Sequence, residues 1–152
     1  AMQLSLLITD NLGLDTSVVP MQIFARADLL FFQNRFSESL TTLDSILDIY
    51  KGHSLTDEIL FKKSKIYLKN NQIEKAIEVL EKINTEFYYD ILADDAIFIL
   101  ADIYQKKLEN TEKAKALYEK ILTDYKGSIY TAEARKRFRK LRGDNVDEKR
   151  TL

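Results

Sequence analysis

The feature that most constrains this chain is a residue pattern that recurs three times along it. Phe24, Phe61 and Phe98 lie 37 residues apart, and the apolar and small residues around each of them recur at the same interval. In the second half of the third unit the interval becomes 38, which predicts one extra residue within Lys106–Thr111. A fixed period of this length in helical segments is typical of a solenoid, in which each unit buries its apolar face against its neighbours.

Two antiparallel helices account for the pattern inside each unit. In the central unit they are predicted over about 57–70 and 72–87, with Asn71 and Glu74 forming a capping box at the start of the second helix. The second helix carries the one-sided apolar stripe of a half-buried helix, formed by Ile73, Ala76, Ile77, Leu80 and Ile83.

Small residues mark the point where the two helices of each unit cross. A small side chain on one helix leaves a hole for a large side chain of its partner, so a pair of small residues permits close packing. The first helices supply Ala27, Ser64 and Ala101, and the second helices supply Ser39, Ala76 and Ala114.

The chain resembles the tetratricopeptide repeat (TPR) family over about Val19–Lys126. In the first helices of that family, a large apolar residue is followed by a small residue four positions later and by an aromatic residue three positions after that. This pattern is met by Leu60-Ser64-Tyr67 and Ile97-Ala101-Tyr104, and less closely by Ile23-Ala27-Leu30. The units are longer than the usual length of about 34 residues, and in this they resemble bacterial, often cell-envelope, members. That resemblance slightly favours the periplasm over the cytoplasm.

The expected fold is an all-α, right-handed α-solenoid of about three TPR helix pairs, preceded by an N-terminal helix and followed by a capping helix. The N-terminal helix is predicted over Gln3–Leu12 with Gly13 as its C-cap, and Ser17 is predicted to cap the next helix. One domain is expected over 1–142, with units at about 19–53, 54–89 and 90–127, a capping helix at 129–142, and a disordered tail at 143–152.

Residues that could support catalysis or hold a cofactor are scarce. The chain has no Cys, which excludes thiol catalysis, disulfides and cysteine metal sites. Its one histidine, His53, lies in a predicted turn without a second ligand or nucleophile at a recognised spacing. The sequence therefore predicts no catalytic residue, no metal, no cofactor and no small-molecule substrate. It also contains no apolar run long enough to span a membrane.

The candidate site is an inner surface lined by the first helix of each unit. The TPR resemblance implies that the aromatic series at period 37 points toward the concave side of the array, with charged residues one turn along. An apolar groove with charged walls suits an amphipathic helix or an extended peptide. The alternative is that the aromatic rings pack on neighbouring first helices and the charges pair along the wall. The inner-face series, our predicted partner-binding residues, comprises Phe24, Asp28, Phe61, Lys62, Lys65, Lys69, Phe98 and Asp102.

The sequence favours a non-catalytic protein-protein interaction module or scaffold that binds a peptide or helix in this groove. A clamp for a peptide carboxylate is disfavoured, because Asp28 and Asp102 have the wrong charge. One alternative is self-assembly through the first helix, as a structural segment of a larger TPR protein. Another is binding of anionic surfaces by the basic helix at Arg135–Arg142. Its charges surround the helix and its aromatic residues, Tyr130 and Phe138, lie on the apolar face, which disfavours nucleic-acid binding.

Overall fold

The computed structural model describes residues 12–144, which form seven α-helices. The chain divides into two compact units, one ending at Asn71 and the other beginning at Gln72. Within each unit, consecutive helices pack on one another as in a helical repeat, so the all-α fold class is confirmed. The domain limits of 1–142 stay a prediction. The helices are α1 (Leu12–Phe32), α2 (Phe36–Ile49), α3 (Thr56–Lys69), α4 (Ile73–Glu86), α5 (Ala93–Lys106), α6 (Thr111–Asp124) and α7 (Thr131–Arg142).

The start of the chain differs from the sequence prediction. Helix α1 runs without a break from Leu12, so Gly13 lies inside it and does not cap a preceding helix, and Ser17 does not begin a new one. Glycine weakens a helix by only about 0.5–1 kcal/mol, and at the second helical position its N–H needs no intrahelical partner. The rest of the helix predicted at 3–12 lies outside the described residues, as does the tail from 145 onward.

One residue with a left-handed backbone lies in the turn between the two helices of each repeat. Asn34, Asn71 and Glu109 have φ angles of 60°, 56° and 51°. Asparagine tolerates this region better than most residues. The capping box predicted at Asn71 is therefore wrong, because Asn71 forms the turn and α4 begins after Gln72 without a side-chain cap.

The extra residue of the third unit lies in its inter-helix turn, as predicted. Helix α5 ends at Lys106, 37 residues after the end of α3 at Lys69, whereas Glu109 lies 38 residues after Asn71. The insertion is therefore accommodated between the end of α5 and the left-handed residue. Asn110 then caps α6, since its side-chain oxygen accepts a hydrogen bond from the backbone N–H of Lys113 at 3.1 Å.

The core of the first compact unit is built where α1 and α2 cross and α3 packs beside them. Ala27 and Ser39 are fully buried at this crossing, as the small-residue pattern predicts. The Ser39 hydroxyl donates a 2.8 Å hydrogen bond to the Ala27 carbonyl oxygen, so the two backbones approach closely without leaving a buried hydroxyl unsatisfied. The buried cluster consists of Ala27, Leu43, Ile46, Ile59 and Ile66.

In the second compact unit the core surrounds α5. This helix packs against α6, and the small residues of the pair, Ala101 and Ala114, are both fully buried. A helix that is apolar on most of its circumference is enclosed by neighbours, and half of the residues of α5 are buried, as the sequence predicts. They are Ala93, Ala96, Ile97, Leu100, Ala101, Ile103 and Tyr104.

Candidate functional site

In the first compact unit, α1 and α3 bring four members of the inner-face series together. Phe24 and Phe61 are half-buried, and Phe24 packs against the core cluster. Lys62 of α3 forms an ion pair with Asp28 of α1 at 2.5 Å, with only 14% of its side chain exposed. This pair links two successive first helices, which fixes their relative position.

Two lysines of α3 remain exposed beside aromatic rings. The Nζ atom of Lys65 lies 4.8 Å from the centre of the Phe61 ring, and that of Lys69 lies 6.0 Å from the Phe31 ring. Neither lysine forms an ion pair with another described residue, whereas Lys62 pairs with Asp28 while its Nζ lies 4.6 Å from the Phe31 ring. This face of α3 therefore combines two available positive charges with partly exposed apolar surface.

In the second compact unit, α7 covers the corresponding part of α5. The rings of Phe98 and Tyr130 stack with their centroids 4.5 Å apart and an interplanar angle of 16°. The Arg137 guanidinium lies 5.0 Å from the Phe98 centroid, and Tyr118 contacts the same ring edge-on at 5.9 Å. Phe98 thus packs within the protein, which is the alternative that the sequence left open for this residue.

Asp102 is held by the same helix. Arg137 donates a 2.6 Å hydrogen bond to Asp102, and Lys106 of α5 forms a second ion pair with it at 2.9 Å. Burial alone would raise the pKa of Asp102, but the hydrogen bonds from Lys106 and Arg137 outweigh it and hold the pKa below its ordinary value. Asp102 is therefore a charged carboxylate paired with two cations, with 35% of its side chain exposed.

Arg137 has four partners. Besides Asp102 and the Phe98 ring, it donates hydrogen bonds to the Tyr118 hydroxyl at 2.9 Å and to Glu133 at 2.9 Å. Burial alone would lower the pKa of Arg137, but the hydrogen bonds to Tyr118, Glu133 and Asp102 raise it above its ordinary value. The side chain therefore remains charged and joins α7 to both α5 and α6.

The ion pairs formed by Asp28 with Lys62 and by Asp102 with Arg137 occupy equivalent positions of the repeat. Lys62 lies 34 residues after Asp28, and Arg137 lies 35 residues after Asp102, the difference being the one inserted residue of the third unit. Lys65 occupies the register position of the two aspartates. Of the three charges at this register, only Lys65 is without an ion-pair partner among the residues that the structure describes.

A family model described as the ARM repeat of tetratricopeptide repeat protein 21 matches residues 17–130. The chain belongs to this family. Its membership confirms the TPR resemblance, but this family gives no support to the bacterial subgroup inferred from the long units. No curated protein matches the chain. Repeat domains of the TPR and ARM type are generally non-catalytic and typically act in protein interaction.

In this ARM-repeat chain the single histidine shapes a turn. The His53 Nδ1 atom accepts a hydrogen bond from the Leu55 backbone N–H at 3.1 Å, just before α3 begins. Ser128 makes the equivalent bond in the third unit, since its hydroxyl oxygen accepts from the Tyr130 N–H at 3.1 Å. Between residues 12 and 144, no group of three or more His, Asp or Glu side chains is arranged to hold a metal ion. Nor does that part of the chain contain a helix with the length and apolar character needed to cross a membrane.

Sequence reasoning missed the internal roles of Arg137 and Tyr130. The sequence predicts Arg137 to be one of the surface charges of the last helix and places Tyr130 only on its apolar face. In the ARM-repeat fold the Tyr130 hydroxyl donates a 2.5 Å hydrogen bond to Asp95, which raises the pKa of Tyr130 to about 12. The repeat register carried a usable signal for Arg137, because it places this arginine in the position of Lys62.

We expect Tyr130 to ionise near pH 12 and the Asp95→Asn variant to return its pKa toward the ordinary value of about 10. The measurement is the ultraviolet absorbance titration of wild type minus that of Tyr130→Phe. Because the folded pKa is the higher one, the contribution of this phenol to stability is complete below pH ~10 and is lost as the pH rises toward 12. Asp90→Asn serves as the control, and an unaltered Tyr130 titration in Asp95→Asn would contradict the assignment.

Proposed function

We propose that this domain is a non-catalytic protein-interaction module that binds a peptide or helix in a concave groove lined by its first helices. The observation that carries this proposal is the face of α3 on which exposed Lys65 and Lys69 lie beside the rings of Phe61 and Phe31. Membership of a repeat family that typically serves protein interaction supports it. A repeat scaffold presents its surface in a preformed state, so that binding orders little of the domain itself.

The proposed groove divides the inner-face series into two roles. Phe61, Lys65 and Lys69 contact the partner directly, with Phe24 extending the apolar surface. Asp28 and Lys62 act as a structural pair, because each neutralises the other. Phe98 and Asp102 contact Tyr130 and Arg137 within the second compact unit and have no direct role in the proposed surface.

The partner that suits this face carries carboxylates beside an apolar side chain. Lys65 and Lys69 are one helical turn apart, so their charges are about 6 Å apart along the helix axis. Acidic residues at neighbouring turns of a helix, or at alternate positions of an extended peptide, can reach both charges. The remaining apolar side chain then covers the exposed part of Phe61.

The proposal is tested with ligands selected from a displayed peptide library. We expect the selected peptides to be rich in Asp, Glu and apolar residues and to bind the Lys65→Glu, Lys69→Glu double variant at least about tenfold more weakly, because attraction becomes repulsion at two positions. Isothermal titration gives the affinities. The matched control is Lys82→Glu with Lys107→Glu, which makes the same change of net charge at two other exposed lysines.

The outcome decides between a specific face and general charge. Equal affinity for wild type and the Lys65, Lys69 variant would refute the α3 face as the binding surface. An equal loss in the control variant would show that the peptides respond only to net charge.

Self-assembly remains a second candidate because three large apolar side chains of α1 are exposed. Met21, Leu29 and Phe32 have 55%, 58% and 72% of their surface accessible. Exposed apolar residues grouped on one helix are a common site of association between copies. A mass that stays at one chain in light scattering at high concentration would exclude this candidate.

A further inference from the structure

The exposed side of α7 carries an almost unbroken positive surface once the contacts of Arg137 are taken into account. Arg137 turns inward to Asp102 and Tyr118. On a helical wheel the remaining basic residues span an arc of about 160°, opposite the packed face. The α7 cationic face consists of Arg135, Lys136, Arg139 and Lys140, with Arg142 at its edge. The sequence predicts charges on all sides of this helix, whereas in the structure its unpaired basic residues lie on one side.

These charges are available to a partner. Arg135, Lys136, Arg139 and Lys140 are exposed, and none of them pairs with another described residue. The ion pairs that α7 does form are those of Arg137 and of Arg142, whose side chain binds Asp144. Four neighbouring positive charges repel one another, so a bound anion relieves an existing cost in addition to forming new ion pairs.

The repeat register indicates what shape of partner fits there. Helix α7 begins 38 residues after α5, and Ala134 is fully buried like its equivalent Ala96. By the same offset, Arg135 and Arg139 correspond to Ile97 and Ala101, which are fully buried in α5.

Ala101, which corresponds to Arg139, indicates which helix this side of α5 faces, because it is buried with Ala114 in the pair of small residues of α5 and α6. Tyr104, which corresponds to Arg142, contacts helices on both sides, since Lys113 of α6 lies over its ring and its hydroxyl donates a hydrogen bond to Glu81 of α4. The positions at which α5 receives its following helix are therefore occupied by arginine in α7. A helix that packs there must carry acidic groups where α6 carries apolar ones.

We propose that the α7 cationic face binds an acidic helix of a partner protein, seated where a following repeat helix would lie. Arg135 and Arg139 are about 6 Å apart along the axis, as are Lys136 and Lys140, which matches carboxylates at positions i and i+4 of a helix. The protein itself shows the chemistry, because Arg137 and Arg142 both bind carboxylates by hydrogen bonds. This site is separate from the α3 face and does not depend on it.

Other polyanions fit the face less well. A protein that binds single-stranded nucleic acid stacks the bases on exposed aromatic rings. On α7, Phe138 is half-buried, and the Arg142 guanidinium lies 5.3 Å from its ring. A membrane-surface helix inserts large apolar side chains beside its cations, whereas the arc of the cationic face contains only the small side chain of Ala132. The face therefore provides charge and helical spacing without a stacking or insertion element.

The test uses an alanine-based helical peptide with glutamates in i, i+4 pairs as the probe. We expect the Arg135→Gln, Arg139→Gln double variant to bind it about tenfold more weakly than wild type at physiological salt, the equivalent of two lost ion pairs. The control variant, Lys82→Gln with Lys126→Gln, removes the same charge elsewhere and is expected to change affinity by less than about twofold. Circular dichroism checks that both variants keep wild-type helicity.

Four results would overturn the proposal. They are wild-type affinity in the Arg135, Arg139 variant, equal losses in both variants, equal binding of a peptide with glutamine in place of glutamate, and tighter binding of a thymidine oligonucleotide or of phosphatidylserine vesicles than of the acidic peptide. The last result would assign the face to a different class of partner.

Discussion

Replacing Leu43 with alanine is expected to lower the free energy of unfolding by about 2–5 kcal/mol. Leu43 is fully buried on α2 and belongs to the cluster that α1, α2 and α3 share. The variant loses the transfer energy of the removed methyl groups and leaves a cavity, because Ala27 and Ile46 are held by helices that cannot collapse into the space. Urea denaturation followed by circular dichroism measures the change.

The matched control is Leu29→Ala, the same chemical change on α1 at a side chain that is 58% exposed. It is expected to cost less than about 1 kcal/mol, since little apolar surface leaves the core. Similar losses in the two variants would mean that Leu43 is not part of a packed core in solution.

The second large effect is expected at Arg137. Replacing it with alanine should lower the free energy of unfolding by about 1.5–3 kcal/mol, because Asp102 and the Tyr118 hydroxyl each lose a charge-assisted hydrogen bond and Phe98 loses a cation above its ring. Hydrogen exchange is expected to show the greatest loss of protection in α7, since Arg137 is its main polar connection to α5 and α6.

Arg135→Ala is the control for this variant, because Arg135 is exposed on the same helix and alanine is an equally good helix former. A change within about 0.5 kcal/mol is expected. If both variants cost the same, the internal contacts of Arg137 add nothing to stability. The Arg137 effect should also fade in acid. The pKa of Asp102 is depressed in the folded state, so the stabilisation present above its unfolded pKa near 4 is lost as the pH falls through the lower folded value.

Periodicity was enough to predict the helices and the crossing points. The interval of 37 residues located six helices of the three pairs, and the small residues located contacts such as that between Ala27 and Ser39. These features follow from the backbone, because a helix of fixed pitch presents its apolar stripe at fixed spacing and two helices approach only where side chains are small. They need no knowledge of side-chain direction.

The neighbours of each side chain are what the spacing does not predict. The same spacing of Phe61 and Phe98 predicts the same face for both, but one ring lies beside an exposed lysine and the other lies under Tyr130. Arg137 is flexible enough to reach inward from a helix whose other cations point outward. The sequence also predicts a helix cap at Asn71, where the structure has a left-handed turn, because asparagine suits both roles.

The ion pairs at equivalent positions constrain how an array of this kind can lengthen during evolution. Asp28 meets Lys62, and Asp102 meets Arg137, so each contact needs opposite charges on successive first helices. A tandem duplication of the central unit would place Lys65 of one copy opposite Lys62 of the next, two positive charges at the position where Asp28 and Lys62 form an ion pair. We therefore expect such a duplication to be tolerated less well than one in which an aspartate replaces Lys65.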